Sequence, residues 1–180
     1  MPLNWEDLRP LNNSQNKAFE ELCRQLARDE DVPQGSIFVA KGDPDAGVEC
    51  YWKFSDENEW GWQAKFFCSS PNTGQWGQID RSVRRALGEH PRLFKYTICL
   101  PINRADSRTE GKESCMDKWD NHVKKWKGWA QEKGMSVDFE YWGEHEILER
   151  LSREEHRGRY FFWFRKEFYS KRWFEHHIEE

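Results

Sequence analysis

The chain has 180 residues, of which 37% are hydrophobic and 33% charged, and a formal net charge of -4; that length suits one domain and excludes a second large one. Aromatic residues reach 16%, with 11 Trp and 12 Phe, so rings carry most of the apolar volume. No apolar run approaches the roughly 18 residues that span a bilayer, the opening MPLNWEDLRP has no basic-then-apolar leader, and the negative charge excludes a protein that is basic over its whole surface; a cytoplasmic protein is expected.

In chain order, Ser14 to Glu30 is predicted as a helix, with Ser14 as N-cap and Phe19, Leu22, Cys23 and Leu26 forming one apolar face. Ile37 to Ala40 is a short strand, and Gly42, Pro44 and Gly47 in KGDPDAG mark an irregular turn. Val48 to Phe54 and Glu59 to Phe67 read as a hairpin across SDEN. Alternation puts Val48, Cys50, Trp52 and Phe54 on one face of the first strand and Glu49, Tyr51 and Lys53 on the other. On the second strand Trp60, Trp62, Ala64 and Phe66 oppose Gly61, Gln63, Lys65 and Phe67. A three-residue loop at Asp56 to Asn58 pairs Ser55 with Glu59, and hence Glu49 with Lys65; this register matches the apolar faces and clusters Glu49, Gln63 and Lys65. Glu49 and Lys65 are then expected to be solvent-accessible in a cleft.

Trp76 to Leu87 is predicted as a helix and Leu93 to Leu100 as a buried strand ended by Pro101. INRADSRTEGKES is polar and expected to be mobile. Trp119, His122, Val123, Trp126 and Trp129 share helical spacing, Ser136 to Trp142 alternates as a strand, and a short helix covers Glu144 to Leu151. RYFFWF reads as a C-terminal strand, and a last helix runs through Trp173 and Ile178. The resulting fold class is α/β, one domain over 1–180, with a central mixed sheet flanked by helices.

Five cysteines, Cys23, Cys50, Cys68, Cys99 and Cys115, are odd in number and form no CxxC pair, which argues against a disulfide framework or structural zinc. His145, His156, His176 and His177 show no metal-ligand spacing and read as surface residues. Trp119, Trp126 and Trp129, like Trp52, Trp60 and Trp62, fit a core better than a base-stacking platform. Among the basic clusters, Lys124, Lys125 and Lys127 read as a solvated helix face. Arg81, Arg84 and Arg85 lie on the helix that must pack near the hairpin, which makes them candidates for DNA phosphate contacts.

Carboxylates on one strand facing a lysine on the next suit metal-assisted phosphodiester cleavage. Mg²⁺ takes hard oxygen ligands and keeps several waters, while a nearby cation stabilises charge on the phosphate. The pattern here is Asp45, Glu49 and Gln63-Ala64-Lys65. As motifs, GDPDAGVE and QAK resemble the turn and the Q-x-K strand of the PD-(D/E)XK, restriction-endonuclease-like nucleases, in particular their Mrr-like branch. AFEELC, GVECYWKF, EWGWQAKFF, HPRLFKYTICLPINRAD, KWKGWA and YWGEHEILERLS are similar to the N-terminal nuclease module of bacterial STAND-type NTPases of anti-phage defence.

The resemblance implies a restriction-endonuclease-like fold and a Mg²⁺- or Mn²⁺-dependent DNA endonuclease. Glu49 would be the metal-binding acid, Gln63 the first residue of the pair, Lys65 the catalytic lysine and Glu20 the helical glutamate that completes the metal set, with Asp45 in the turn before the acid. Two positions depart from the commoner pattern, since the acid is Glu and the pair opens with a neutral Gln. The implied partners are DNA and further copies of the chain, brought together by a downstream NTPase and sensor region, so that oligomerisation switches cleavage on. The alternative is a domain of the same fold that binds nucleic acid or mediates assembly without cutting; a protein-interaction adaptor needing no metal is a third class.

Overall fold

In the computed structural model, which describes residues 3–41, 47–105 and 113–165, a 14-residue helix α1 spans Gln15–Arg28. Ser14 caps it, its side chain accepting from Lys17 N at 3.2 Å, and the apolar face buries Ala18, Phe19, Leu22, Cys23, Leu26 and Ala27. Strands β1 (Ile37–Ala40), β2 (Cys50–Lys53) and β3 (Glu59–Ala64) form an antiparallel meander. Helix α2 (Thr73–Glu89) carries the chain to β4 (Leu93–Cys99), and α3 (Cys115–Glu132) carries it to β5 (Asp138–Trp142), both new strands adding in parallel. Helices α4 (Glu144–Leu151) and α5 (Arg157–Phe164) follow. The result is a five-stranded mixed sheet in the order β1-β2-β3-β4-β5, flanked by helices. Among the described residues no helix is long and apolar enough to cross a membrane.

Each face of the sheet has its own core. Helices α1, α4 and α5 close over Cys50, Trp60, Trp62, Ala64, Cys99 and Trp142, where Trp60 stacks on Trp62 with ring centroids 4.3 Å apart. Helices α2 and α3 close over Val48, Leu93, Tyr96, Ile98 and Tyr141 on the other face. The polar side of the predicted hairpin is therefore covered by α2, not open to water. Both parallel crossovers run over one face, as connections of a single hand require when strands add in one direction. Trp60, Trp62, Trp119 and Trp126 are buried as the core reading expects, while Trp52 and Trp129 are half-buried. The five cysteines are free thiols, and burial pushes the Cys50 thiol up.

Four expectations need correction. The hairpin loop is Ser55 to Glu57, not Asp56 to Asn58: Glu57 adopts φ +69°, Phe54 N donates to Asn58 O at 2.9 Å, and the pairs are Lys53↔Glu59 and Cys50↔Trp62. Asp56 holds this turn by accepting from Asn58 N and Nδ2 at 3.0 and 2.9 Å. The slip is two residues, so side-chain parity survives, but Glu49 comes beside Gln63 instead of Lys65. Val48 precedes β2 and packs into the α2 core, not with Cys50 and Trp52. RYFFWF is helical, because Tyr160, Trp163 and Phe164 at i, i+3 and i+4 bury against α1 and α4. His156 is 2% exposed, with Nδ1 bonded to Arg150 O at 2.7 Å, whereas His145 is at the surface. The turn at 42–46, the middle of the polar segment at 106–112, and the last helix with His176 and His177 lie outside the described residues.

Candidate active site

The site begins at Gly47, which has φ +83° and sits against the middle of α2. A Cβ there would lie 2.5 Å from Ala86 N and closer still to Ser82 O, so only glycine admits this approach. Tyr96 Oη donates to the Gly47 carbonyl and pins it. Two residues on, Glu49 is tied at its backbone, its N–H donating to Trp62 O at 2.7 Å and its carbonyl accepting from Lys41 N at 3.0 Å. Glu49 is 8% exposed and Gln63 0%. Gln63 Nε2 donates to Glu49 Oε1 and to Ala64 O, the latter at 3.3 Å. Gln63 Oε1 is buried without a hydrogen-bond partner among the described residues.

Lys65 follows the end of β3, with its N–H donating to Cys99 O at 2.9 Å and its side chain half-buried. It lines a cleft of about 380 Å³ with Gly47, Gln78, Arg81, Ser82 and Arg85. Three cations thus meet in one concavity whose described lining contains no carboxylate, which makes it a seat for an anion. Arg81 and Arg85 are four residues apart and so share one flank of α2. Arg84 does not line this cleft; its guanidinium carbon lies 4.2 Å from the Trp129 ring centroid.

The structure therefore brings Glu49 beside Gln63, and Lys65 beside Arg81 and Arg85. Glu20 is half-buried on α1, a helix of the opposite layer, and Asp45 lies outside the described residues. Among the described residues no three His, Cys, Asp or Glu side chains gather as a metal-ligand set. The donor chemistry nevertheless fits Mg²⁺, since Glu49 offers a hard, nearly buried carboxylate and the orphaned Gln63 oxygen is the kind of buried acceptor that a bound ion satisfies.

Gln63→Glu tests this arrangement. It sets two carboxyls face to face where water is nearly excluded, so stability without metal should fall by about 2–3 kcal/mol at pH 7. One carboxyl then has a folded pKa above its unfolded value of about 4.3, so the penalty is present at neutral pH and vanishes as pH falls through the unfolded value. Urea denaturation at pH 4, at pH 7, and at pH 7 with Mg²⁺ should show restored stability in the first and third conditions. Stability indifferent to both acid and Mg²⁺ would separate Gln63 from Glu49 and from any cation.

Two polar groupings escaped the sequence reading because their members are far apart in the chain. His90 Nδ1 meets Glu59 Oε2 at 2.6 Å while Lys41 Nζ donates to His90 Nε2 at 3.1 Å, which anchors Lys41 to the sheet. Asp80 joins α2 to α3 by accepting from His122 Nδ1 at 2.9 Å, Lys125 Nζ at 2.6 Å and Trp126 Nε1 at 2.8 Å. Burial opposes ionisation of Asp80, but the bonds from Lys125, Trp126 and His122 prevail and hold its pKa below the ordinary value. A depressed carboxyl contributes stability that is present at neutral pH and lost as pH falls through the folded pKa. Asp80→Asn should accordingly lower stability at pH 7 and flatten its decline below about pH 4. Parallel stability-versus-pH curves for the two proteins would show that the clamp is electrostatically idle.

No protein-family model matches the chain, and no curated protein matches it.

Proposed function

We propose that this chain is a Mg²⁺- or Mn²⁺-dependent DNA endonuclease domain that hydrolyses phosphodiester bonds. One juxtaposition carries the reading: a nearly buried Glu49–Gln63 pair with an orphaned amide oxygen, and, two residues further along, Lys65 in a cleft with Arg81 and Arg85. The resemblance of GDPDAGVE and QAK to PD-(D/E)XK nucleases supports the same assignment.

Glu49 and Gln63 would hold the ion, which when bound supplies Lewis acidity and an acidified water; Glu20, the further ligand that the resemblance implies, stands on α1 in the opposite layer and is left out of the set. Burial beneath α2 lowers the dielectric around Glu49 and strengthens its attraction for a cation. Arg81 and Arg85 draw a backbone phosphate into the cleft, and Gln78 and Ser82 offer it neutral donors. Lys65 Nζ donates to the phosphate and stabilises the charge that builds on its oxygens in the transition state. Because one such cleft addresses one strand, paired copies would be needed for a double-strand break. Assembly through the NTPase and sensor region that the resemblance implies is the proposed on-switch.

A second reading, the same fold binding nucleic acid or mediating assembly without cutting, is favoured by the Gln63–Glu49 hydrogen bond, which occupies one carboxylate oxygen. Supercoiled plasmid separates the two. Nicking that requires Mg²⁺ or Mn²⁺ and stops in EDTA, with more linear product when the domain is fused to a dimerising module at equal concentration, is the expected result. A mobility shift without cleavage in any divalent metal selects the second reading.

A further inference from the structure

We infer that a cleft of about 280 Å³ at the carboxyl ends of β4 and β5 seats an unpaired guanine base of the DNA strand whose phosphate lies in the Lys65 cleft; this rests on the reading of the chain as a DNA-acting domain. Asn103, Arg104, Met116, Tyr141, His145 and Glu146 line it. The loop after β4 is fixed before any ligand arrives: Tyr141 Oη donates to Ile102 O at 2.7 Å, and Asn103 Oδ1 accepts from His145 N at 2.9 Å. A Cβ on Gly143 would lie 2.6 Å from Ile102 O, so the loop rests directly on the start of α4. Arg104, next in the loop, packs on two rings, its guanidinium carbon 4.8 Å from the Tyr141 centroid and 5.7 Å from that of Trp119. The rings hold the cation in place, and it forms no ion pair or hydrogen bond with any described residue. A positioned, unbonded guanidinium is a planar fork of donors that lacks its acceptors.

Glu146 decides the class of ligand. Its Oε2 accepts from Gly143 N at 2.8 Å, and its Oε1 takes no hydrogen bond from a described residue. A carboxylate in the wall repels a phosphate but accepts N–H groups, so the ligand must offer acceptors to Arg104 and donors to Glu146 from one small body. Guanine does this: O6 and N7 are adjacent acceptors that match an arginine fork, and its N2 amino group is a donor. Adenine puts a donor beside N7, and thymine puts a methyl group beside O4, so neither satisfies the fork. The cleft lies near the lower bound of about 300 Å³ for ligand cavities, which leaves room for one base and none for a base pair. Strand register then ties it to the proposed cutting site. Gln63, Ile98 and Tyr141 form one row across β3, β4 and β5, with Ile98 and Tyr141 packed on the α2 and α3 side. Lys65 follows Gln63 by two residues and keeps that face. Two strand spacings, about 10 Å, separate β3 from β5, so a strand whose phosphate meets Lys65 can cross the end of β4 and bring a neighbouring base to Arg104 and Glu146.

The test is fluorescence anisotropy in EDTA with labelled oligo-dT single strands that are either plain or carry one central dG, dA or dC. The wild type should bind the dG strand about 5- to 20-fold more tightly than plain oligo-dT, with no such gain for dA or dC. Arg104→Lys keeps the charge without the fork, so it should lose the dG preference while binding plain oligo-dT like the wild type, which also shows that the variant is folded. Glu146→Gln should likewise abolish the preference, because its amide can still accept from Gly143 N but turns a donor toward the donors of the base. No preference in the wild type, a preference for dA or dC, a preference that survives in Arg104→Lys, or tighter binding of every strand by Glu146→Gln would overturn the inference, and so would failure of the wild type to bind any single strand. Because no metal is present, the outcome does not depend on cleavage. If the dG preference appears while no metal supports cutting, the nuclease reading fails and this one stands. If metal-dependent cutting occurs and the preference is absent, the nuclease reading stands and this one fails.

Discussion

Lys65→Ala is expected to lower metal-dependent DNA cleavage by about 10²- to 10³-fold, the loss typical of removing one preorganised donor from a developing anion. The same substitution should leave the fold intact. Lys65 is half-buried at the rim of a cleft where, among the described residues, its charged neighbours are Arg81 and Arg85, so its removal relieves like-charge repulsion there. Its backbone bond to Cys99 O is made by any residue. Melting temperature should therefore stay level or rise slightly, while duplex affinity in EDTA falls only by the share of one phosphate contact. Lys65→Arg should recover part of the rate, since charge is kept but the ammonium's compact shape is not. Plasmid nicking at equal protein concentration, alongside thermal denaturation, checks both halves. Wild-type cleavage by Lys65→Ala would remove the lysine from the mechanism.

The largest stability effect should come from Gly47→Ala. Its φ of +83° costs a side chain about 1 kcal/mol, and the added methyl would press on α2 backbone at Ser82 and Ala86, where no side chain can swing aside. Overpacking of that kind adds about 1–3 kcal/mol. A total near 3 kcal/mol corresponds to a fall of about 6–12 °C in Tm for a domain of this size. Gly35→Ala is the internal control: φ is +88° there, but nothing lies within 4 Å of the new carbon, so only the conformational part remains. Equal losses at the two glycines would mean that α2 does not press on Gly47. Gly47→Ala should also weaken cleavage beyond its effect on stability, because the helix it displaces carries Arg81 and Arg85 and covers Glu49.

Much of this arrangement can be read along the chain. Ser14 before an apolar 3.6 period marks the start of α1, and strict alternation from Trp60 to Ala64 marks β3 and its two faces. Arg81, Arg84 and Arg85 read as one basic cluster on the helix after the hairpin, of which Arg81 and Arg85 line the Lys65 cleft. The hairpin register was not legible, because it depends on Glu57 accepting a left-handed conformation that alternation does not encode. Nor was the burial of Glu49 and Gln63, since a polar strand face looks the same whether water or α2 covers it. In RYFFWF the aromatic β-propensity outweighed a helical spacing that was present in Tyr160, Trp163 and Phe164. The Asp80 and His90 groupings join residues from distant elements, and no local period reports such pairings.

The change of strand direction at β3 has a kinetic meaning. Strands β2 and β3 can zip through a three-residue turn, an event of microseconds. Strands β4 and β5 can dock only after α2 and α3 have each been threaded over the sheet, and such non-local parallel pairing is slow. Until then β3 presents an open parallel edge bearing Trp60 and Trp62. Hydrogen-exchange pulse labelling should find the amides of β2 and β3 protected before those of β4 and β5. A refolding chain should be most prone to aggregate in the interval between the two.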